Sequence, residues 1–196
     1  MDSIQKRRSI RKYEDRQIEK SDIEEIIKAG MLAPSAKNRQ PWKYIVYRSG
    51  AKEELLDKME DGLIREERIE ASLPLSKNGL PDAFHTLKIM RQAPALIIIL
   101  NTNGVSIFEK IGVDERVTEI CDSLSIGASV ENMLLRATEL GIGSLWIANT
   151  CFAYKELVEY IGTEQQLVGA VALGYADEFP NARPRKEFEN IVEFRE

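Results

Sequence analysis

A continuous apolar run at 95–100 (ALIIIL), directly after Pro94, limits the possible folds of this chain more than any other segment. Its short length and its β-branched isoleucines predict a strand that is buried in a sheet. Similar patterns predict further strands at 42–47 (WKYIVY), 144–147 and 167–173 (LVGAVAL), and a last edge strand at 191–194. The chain is therefore expected to build its core around a sheet.

Helices are predicted between these strands. Apolar residues recur at helical spacing through 23–31, and Gly30 lies near the expected end of that helix. Ser21 is the predicted N-cap, with Glu24 in the capping-box position. Further helices are predicted at 50–70 and 154–161, and a short one around Phe108 in the loop 101–114.

The strongest helical pattern covers 119–140. It is apolar on more than one face, which predicts burial on several sides. It also carries small residues that allow another backbone to come close, as at a subunit interface: Ser125, Gly127, Ala128 and Ser129. The glycines after this helix, Gly141 and Gly143, do not form a dinucleotide-binding fingerprint, because the order is helix, turn, strand.

Composition excludes several classes of protein. The 196 residues fit a single domain, 1–196, and 27 basic against 32 acidic residues argue against a dedicated nucleic-acid binder. One histidine, His85, and two cysteines without CxxC spacing make a zinc site or a nucleophilic triad improbable, and His85 is expected on a helix face. No signal peptide or membrane-spanning run is evident, so we expect a soluble, cytoplasmic protein.

Two polar regions carry the candidate chemistry. The loop 33–42 (APSAKNRQPW) is stiffened by its two prolines, and its amide side chains suit a flat heterocycle that alternates carbonyl and N–H groups. The alternative is a plain polar connection between a helix and a strand. Arginines cluster at 7–11 and again at 183–186, and arginine is suited to bidentate contact with phosphate. The alternative for these is a pair of solvated basic segments.

Four motifs in order resemble the FMN-dependent nitroreductase family: RRSIR at 7–11, PSAKNRQPW at 34–42, ELGIGSLWI at 139–147 and VALGYADEFPNARPRK at 171–186. The resemblance implies an α+β fold with a central mixed β-sheet flanked by helices. It also implies an intertwined homodimer with FMN at the interface. Within this single domain, 60–85 is a possible lid and 184–196 a C-terminal arm.

The resemblance also implies roles for individual residues. Arg7, Arg8 and Ser9 would hold the phosphate and ribityl chain of FMN, and Arg183 and Arg185 would complete the phosphate site. Arg11 would reach the pyrimidine edge of the flavin. The partner subunit would supply Pro34, Ser35, Ala36, Asn38 and Gln40. Lying along the flavin would be Leu145, Trp146, Ile147, Ala148 and Asn149. Many family members have glycine where Asn149 stands, although asparagine tolerates a positive φ better than most residues.

The implied function is an NAD(P)H oxidoreductase that passes two electrons in a ping-pong cycle from NADH or NADPH to a small acceptor such as a nitroaromatic or a quinone. The flavin carries the chemistry, so no catalytic side chain and no metal is expected. One alternative keeps the fold but performs reductive dehalogenation or flavin fragmentation. Another is a flavin-binding sensor or carrier without turnover.

Overall fold

The computed structural model describes residues 2–68 and 71–196. The helices are α1 (Asp2–Lys6), α2 (Lys20–Met31), α3 (Ser49–Glu67), α4 (Leu80–Gln92), α5 (Val113–Glu139) and α6 (Tyr154–Ile161). The strands are β1 (Trp42–Arg48), β2 (Ala95–Asn101), β3 (Gly143–Ile147) and β4 (Gln166–Gly174). Short 3-10 turns lie at Ala36–Asn38, Pro74–Gly79, Asn149–Ala153 and Phe188–Asn190. In both described ranges, no helix is long and apolar enough to cross a membrane.

The four strands form one sheet in the order β1-β2-β4-β3, and each neighbouring pair is antiparallel. β2 and β3 point the same way, but β4 lies between them. The parallel contribution to the expected mixed sheet is an isolated bridge between Ser9 and Ser144 at the outer side of β3. The α+β fold with a helix-flanked central sheet is confirmed. The directions of neighbouring strands could not be predicted, because an apolar pattern does not indicate whether a strand runs parallel or antiparallel to its neighbour.

The sheet separates two apolar cores, which explains why β2 is apolar at almost every position. Leu96, Ile98 and Leu100 pack into a core with α3, α4 and α6. Their alternate neighbours on the opposite face, Ile97 and Ile99, pack into a second core with α2 and α5. Successive side chains of a strand point to opposite faces, so a strand between two helical layers needs apolar residues on both.

The predicted capping of α2 is wrong. The helix begins at Lys20 with Glu19 as its N-cap, and no side chain caps it, so Ser21 and Glu24 do not form a capping box. Gly30 lies near the end of the helix as predicted, one residue before its last residue, Met31. A Cβ atom on Gly30 would lie 2.7 Å from the Cγ atom of Met133, so this glycine is needed where α2 crosses α5.

The small residues of α5 are used inside this chain. Ser129 hydrogen-bonds to the hydroxyl of Tyr44 on β1. A Cβ atom on Gly127 would lie 3.7 Å from the indole ring of Trp146. Ser129 and Gly127 therefore contact the sheet through the side chains of Tyr44 and Trp146, and the close approach to α5 is made by Gly30 of α2.

Two short elements predicted from the sequence are not formed. The loop around Phe108 contains turns but no helix, and 191–194 forms no strand in the single chain. Neither segment has the apolar periodicity that stabilises a longer element. The helix predicted at 50–70 is α3, which ends at Glu67. Positions 69 and 70, which also belong to the possible lid at 60–85, lie outside the described residues.

Two glycines of α3 provide a matched test of packing. A Cβ atom on Gly62 would lie 2.4 Å from Cβ and 2.5 Å from Cα of Ala153, whereas nothing lies within 4 Å of one on Gly50. We expect Gly62→Ala to lower the free energy of unfolding by about 1–3 kcal/mol through overpacking, although alanine favours helix. Gly50→Ala should be neutral or stabilising by up to about 1 kcal/mol. Urea unfolding measures both; equal effects would contradict this packing.

Candidate functional site

The chain brings its two arginine clusters into one cleft of about 270 Å³. The residues that line it include Arg7, Arg8, Ser9, Arg11, Arg183 and Arg185. They come from segments at opposite ends of the sequence, so the cleft exists only because the fold brings those segments together. Of the predicted site, these six residues are the ones the structure places side by side.

Backbone hydrogen bonds hold the two segments together. The N–H of Ile10 donates to the carbonyl of Ser144 at 3.0 Å, which attaches the first segment to the free edge of β3. The N–H of Glu14 donates to the carbonyl of Tyr175 at 2.9 Å, and the N–H of Asp177 donates to that of Lys12 at 3.0 Å. This pairing of 9–14 with 175–178, here called the terminal zipper, brings the second arginine cluster toward the first.

The turn that carries Arg11 is fixed from two sides. The N–H of Arg11 donates to the carboxylate of Glu178 at 2.5 Å, and the hydroxyl of Tyr13 donates to the carbonyl of Ile10 at 2.9 Å. Burial raises the pKa of Tyr13 strongly, with a further upward contribution from Glu178, so its hydroxyl keeps its proton. The turn is therefore rigid before any ligand arrives.

The guanidiniums in the cleft lack counter-charges of their own. Among the described residues, no carboxylate forms an ion pair with the side chains of Arg8, Arg11, Arg183 or Arg185, and Arg7 has only Glu131 at 3.6 Å. The Arg8 side chain donates to the carbonyls of Gln5 and Arg7 at 2.6 and 2.8 Å. Concentrated positive charge without carboxylate partners is the electrostatic requirement for binding an anion.

A second cavity of about 180 Å³ shares the lining residue Arg11 with the cleft. Its other lining residues come from the end of β3 and from one face of α4: Leu145, Trp146, Ile147, Ala148 and Asn149, with Asp82, His85, Thr86 and Ile89. His85 is on an exposed helix face as predicted. The groove formed by the two cavities is thus cationic at one end and mixed polar at the other.

The β3 side chains face different ways. Leu145 and Ile147 are buried in the core below α3, α4 and α6. Trp146 points to the α5 side and remains 44% exposed. A ligand in the second cavity would therefore meet the β3 backbone and alternate side chains.

Asn149 has a role that the sequence did not reveal. Its φ is not among the positive values of the chain, so the asparagine is not needed for a left-handed turn. Instead its Nδ2 donates to Oδ2 of Asp82 at 2.9 Å and to Oγ1 of Thr86 at 3.0 Å. Because a carboxylate only accepts, this partner fixes which end of the amide faces α4. Asn149 thereby links the end of β3 to α4 across the second cavity.

Asp82, Thr86 and Ile89 were missed by sequence reasoning. The only available signal was the spacing of Asp82 and Thr86, which puts both on one face of a helix. Nothing in α4 itself indicates that this face meets β3.

The predicted loop residues Pro34, Ser35, Ala36, Asn38 and Gln40 line neither the arginine cleft nor the second cavity. The loop packs on α5, where the N–H of Ala36 donates to Oγ of Ser125 at 3.1 Å. Side chains of Asn38 and Gln40 are exposed and joined by a 3.2 Å hydrogen bond from Nε2 of Gln40 to Oδ1 of Asn38. Within one chain, this part of the predicted site is separate from the arginine cleft.

Hydrogen bonds hold residues 72 and 73 of the possible lid against the end of α3. The buried carboxylate of Glu66 accepts from the N–H groups of Ser72 and Leu73 at 2.8 and 3.1 Å, and it contacts Arg65. Burial alone would raise the pKa of Glu66, but these donors outweigh it and lower that pKa. In the described ranges, no group of three or more His, Cys, Asp or Glu residues is placed to hold a metal.

Comparison with known proteins adds to this geometry. The family model described as "Nitroreductase family" matches residues 4–175. The chain belongs to the nitroreductase family. A protein of Archaeoglobus fulgidus named "Putative NADH dehydrogenase/NAD(P)H nitroreductase" is 36% identical over 180 residues, covering 88% of this chain and 82% of that protein.

Two solved structures share the nitroreductase fold. The nitroreductase-like family protein from Bacillus cereus has a TM-score of 0.75 at 23% identity, over 100% of this chain and 95% of that one. The FMN-dependent nitroreductase NfnB from Mycobacterium smegmatis, solved in complex with NADPH, has a TM-score of 0.74 at 16% identity. The match covers 99% of this chain and 96% of that one. At these identities the likeness establishes the fold alone.

Proposed function

We propose that this chain is an FMN-dependent NAD(P)H oxidoreductase that transfers two electrons to a small acceptor such as a nitroaromatic or a quinone. The observation that carries the proposal is the arginine cleft: guanidiniums from both ends of the sequence meet there, and among the described residues only Arg7 has an acidic partner, Glu131. Membership of the nitroreductase family and a relative named for NAD(P)H activity support the same reaction class.

The described residues fit FMN in two respects. A dianionic phosphate matches the cleft, where Arg7, Arg8, Arg183 and Arg185 offer forked donors. Arg11 lines both the cleft and the second cavity, so a ligand with its phosphate in the cleft would have its flat ring on the side of Arg11 where the second cavity lies. No fingerprint for an adenine half of FAD is present in the sequence.

Each part of the groove then has its own task. When bound, FMN supplies the hydride chemistry that links the nicotinamide to the acceptor. The arginine cleft binds and orients the phosphate, and Arg11 places a positive charge near the pyrimidine edge of the ring. Asn149, held by Asp82 and Thr86, keeps the end of β3 at a fixed distance from α4. None of these tasks requires a nucleophile, which agrees with the shortage of histidine and cysteine.

The proposed active form is a homodimer. Four exposed apolar residues lie at helical spacing on one face of α5: Val113, Val117, Ile120 and Leu124. Such a stripe on a protein surface is typical of an interaction site. The loop 34–40 packs against this same helix and lines neither the arginine cleft nor the second cavity of its own chain. Association through α5 would allow the loop of one subunit to complete the groove of the other.

The first test is the cofactor itself. Purified or reconstituted protein should be yellow, and denaturation should release FMN rather than FAD, identified by chromatography. NADH or NADPH should bleach the bound flavin rapidly, and a quinone should restore its colour. Protein that binds no FMN would refute the proposal; bound FMN that resists reduction by both nucleotides would indicate a sensor or carrier instead.

Arginines at the two ends of the groove should differ in effect. Arg11→Ala removes a positive charge beside the ring, so the midpoint potential of bound flavin should fall by tens of millivolts, about 30 mV for each ~1.4 kcal/mol. Arg183→Ala acts on the phosphate, so it should weaken FMN binding and leave the potential of retained flavin unchanged. Identical phenotypes in redox titration and FMN titration would contradict this division.

The α5 stripe predicts the assembly. Leu124 is 70% exposed in the single chain, so Leu124→Glu should leave the subunit folded but place a charge in an apolar interface of more than about 2,000 Å². We expect light scattering to report a monomer, with weaker FMN binding because assembly and cofactor are linked. Leu75→Glu, at an exposed leucine on the turn Pro74–Gly79, is the control. A stable Leu124→Glu dimer would contradict the proposed interface.

A further inference from the structure

The loop 35–40 has an unusual backbone. Lys37, Asn38 and Gln40 have φ values of 54°, 53° and 49°, in the left-handed region that residues other than glycine rarely adopt. Three such residues so close together persist only when the surrounding structure determines their conformation. The contacts that determine this conformation come from α5 and from within the loop.

Arg39, between the left-handed residues, provides the strongest restraint. Its Nε and Nη2 both donate to Oδ1 of Asp122 on α5, at 2.9 and 2.6 Å. The Asp122 side chain is 1% exposed, and its other oxygen accepts from Nδ2 of Asn103 at 3.1 Å. The carboxylate thus has partners for both oxygens, and the arginine is held through two hydrogen bonds.

Weaker contacts hold the rest of the loop. The N–H of Ala36 donates to Oγ of Ser125, and the N–H of Gln40 donates to Oγ of Ser35 at 3.0 Å. At the end of the loop, the N–H of Thr102 donates to the carbonyl of Pro41 at 2.8 Å. Only the pair between Arg39 and Asp122 involves two charges, and one of these is buried.

A buried ion pair is a poor way to gain stability, because desolvation offsets much of the attraction. It is a good way to fix one geometry, since a charge left unpaired in the interior is strongly disfavoured. The left-handed residues themselves are exposed, and the amides of Asn38 and Gln40 point away from the core. The buried pair therefore fixes the shape of an exposed surface.

We propose that Asp122 is a positioning residue: through Arg39 it holds loop 35–40 in the left-handed shape that presents the amides of Asn38 and Gln40 to the flavin of the partner subunit. This inference rests on the proposed function. Asp122 lies on the same helix as the exposed stripe, between Ile120 and Leu124, so one helix would set both the assembly and the shape of the loop.

The test compares Asp122→Asn with Asp114→Asn, which makes the same chemical change at an exposed position of α5. Two readouts are needed. One is the Kd for FMN, from quenching of flavin fluorescence. The other is limited trypsin digestion of the apo-protein with mass spectrometry, because Lys37 and Arg39 are themselves cleavage sites within the loop.

We expect Asp122→Asn to raise the Kd for FMN by about tenfold or more and to accelerate cleavage at Lys37 and Arg39. The thermal midpoint should stay close to that of Asp114→Asn, since Arg39 is partly exposed and can turn to solvent. Asp114→Asn should match the wild type in both readouts. If Asp122→Asn fails to fold, the double variant R39Q/D122N, which removes both charges, takes its place. The same rise in the Kd for FMN is expected, and cleavage is then followed at Lys37 alone because the variant lacks the tryptic site at position 39.

Both readouts must change together. Faster cleavage with an unchanged Kd would mean that the loop does not serve the flavin, and a raised Kd with unchanged cleavage would mean that Asp122 does not act through the loop; either result overturns the inference. Wild-type protein that binds no FMN would refute the proposed function instead, and the digestion would still show whether Asp122 shapes the loop.

Discussion

Like charges repel, and the arginine cleft gathers five guanidiniums that would separate if the backbone allowed it. The terminal zipper prevents this, because hydrogen bonds between 9–14 and 175–178 hold both segments against the edge of β3. Binding of a phosphate would relieve the repulsion, and the hydrogen bonds of the fold oppose it. The hydrogen bond between Ile10 and Ser144 at the edge of β3 therefore helps to hold the arginines of this cluster together.

α5 contributes to the proposed site in three ways. Its buried face closes one core of the sheet, and its serines and Asp122 fix loop 35–40. Its exposed face carries the apolar stripe that ends at Leu124. A change on this helix therefore has consequences for packing, loop shape and assembly, and measurements on its variants need to separate the three.

The four strands and α5 could be predicted from the sequence because their apolar patterns are strong: a continuous apolar run in β2 and helical periodicity in α5. The arginine cleft could also be expected, since its residues stand in recognisable motifs. Asp82, Thr86 and Asp122 could not, because ordinary polar residues on helices gain a role only through what packs against them. Gly30 shows the same limit: its place near the end of α2 could be predicted, but its contact with Met133 could not.

The terminal zipper has a consequence for the order in which the molecule is completed. Contacts between residues so far apart in sequence carry a large loop-closure entropy, and they form late in folding. During synthesis, α2, β1 and β2 leave the ribosome long before residues 175–185 do. The anion cleft cannot exist on a nascent chain, so a cofactor held there would be captured only by a subunit whose sheet is already complete.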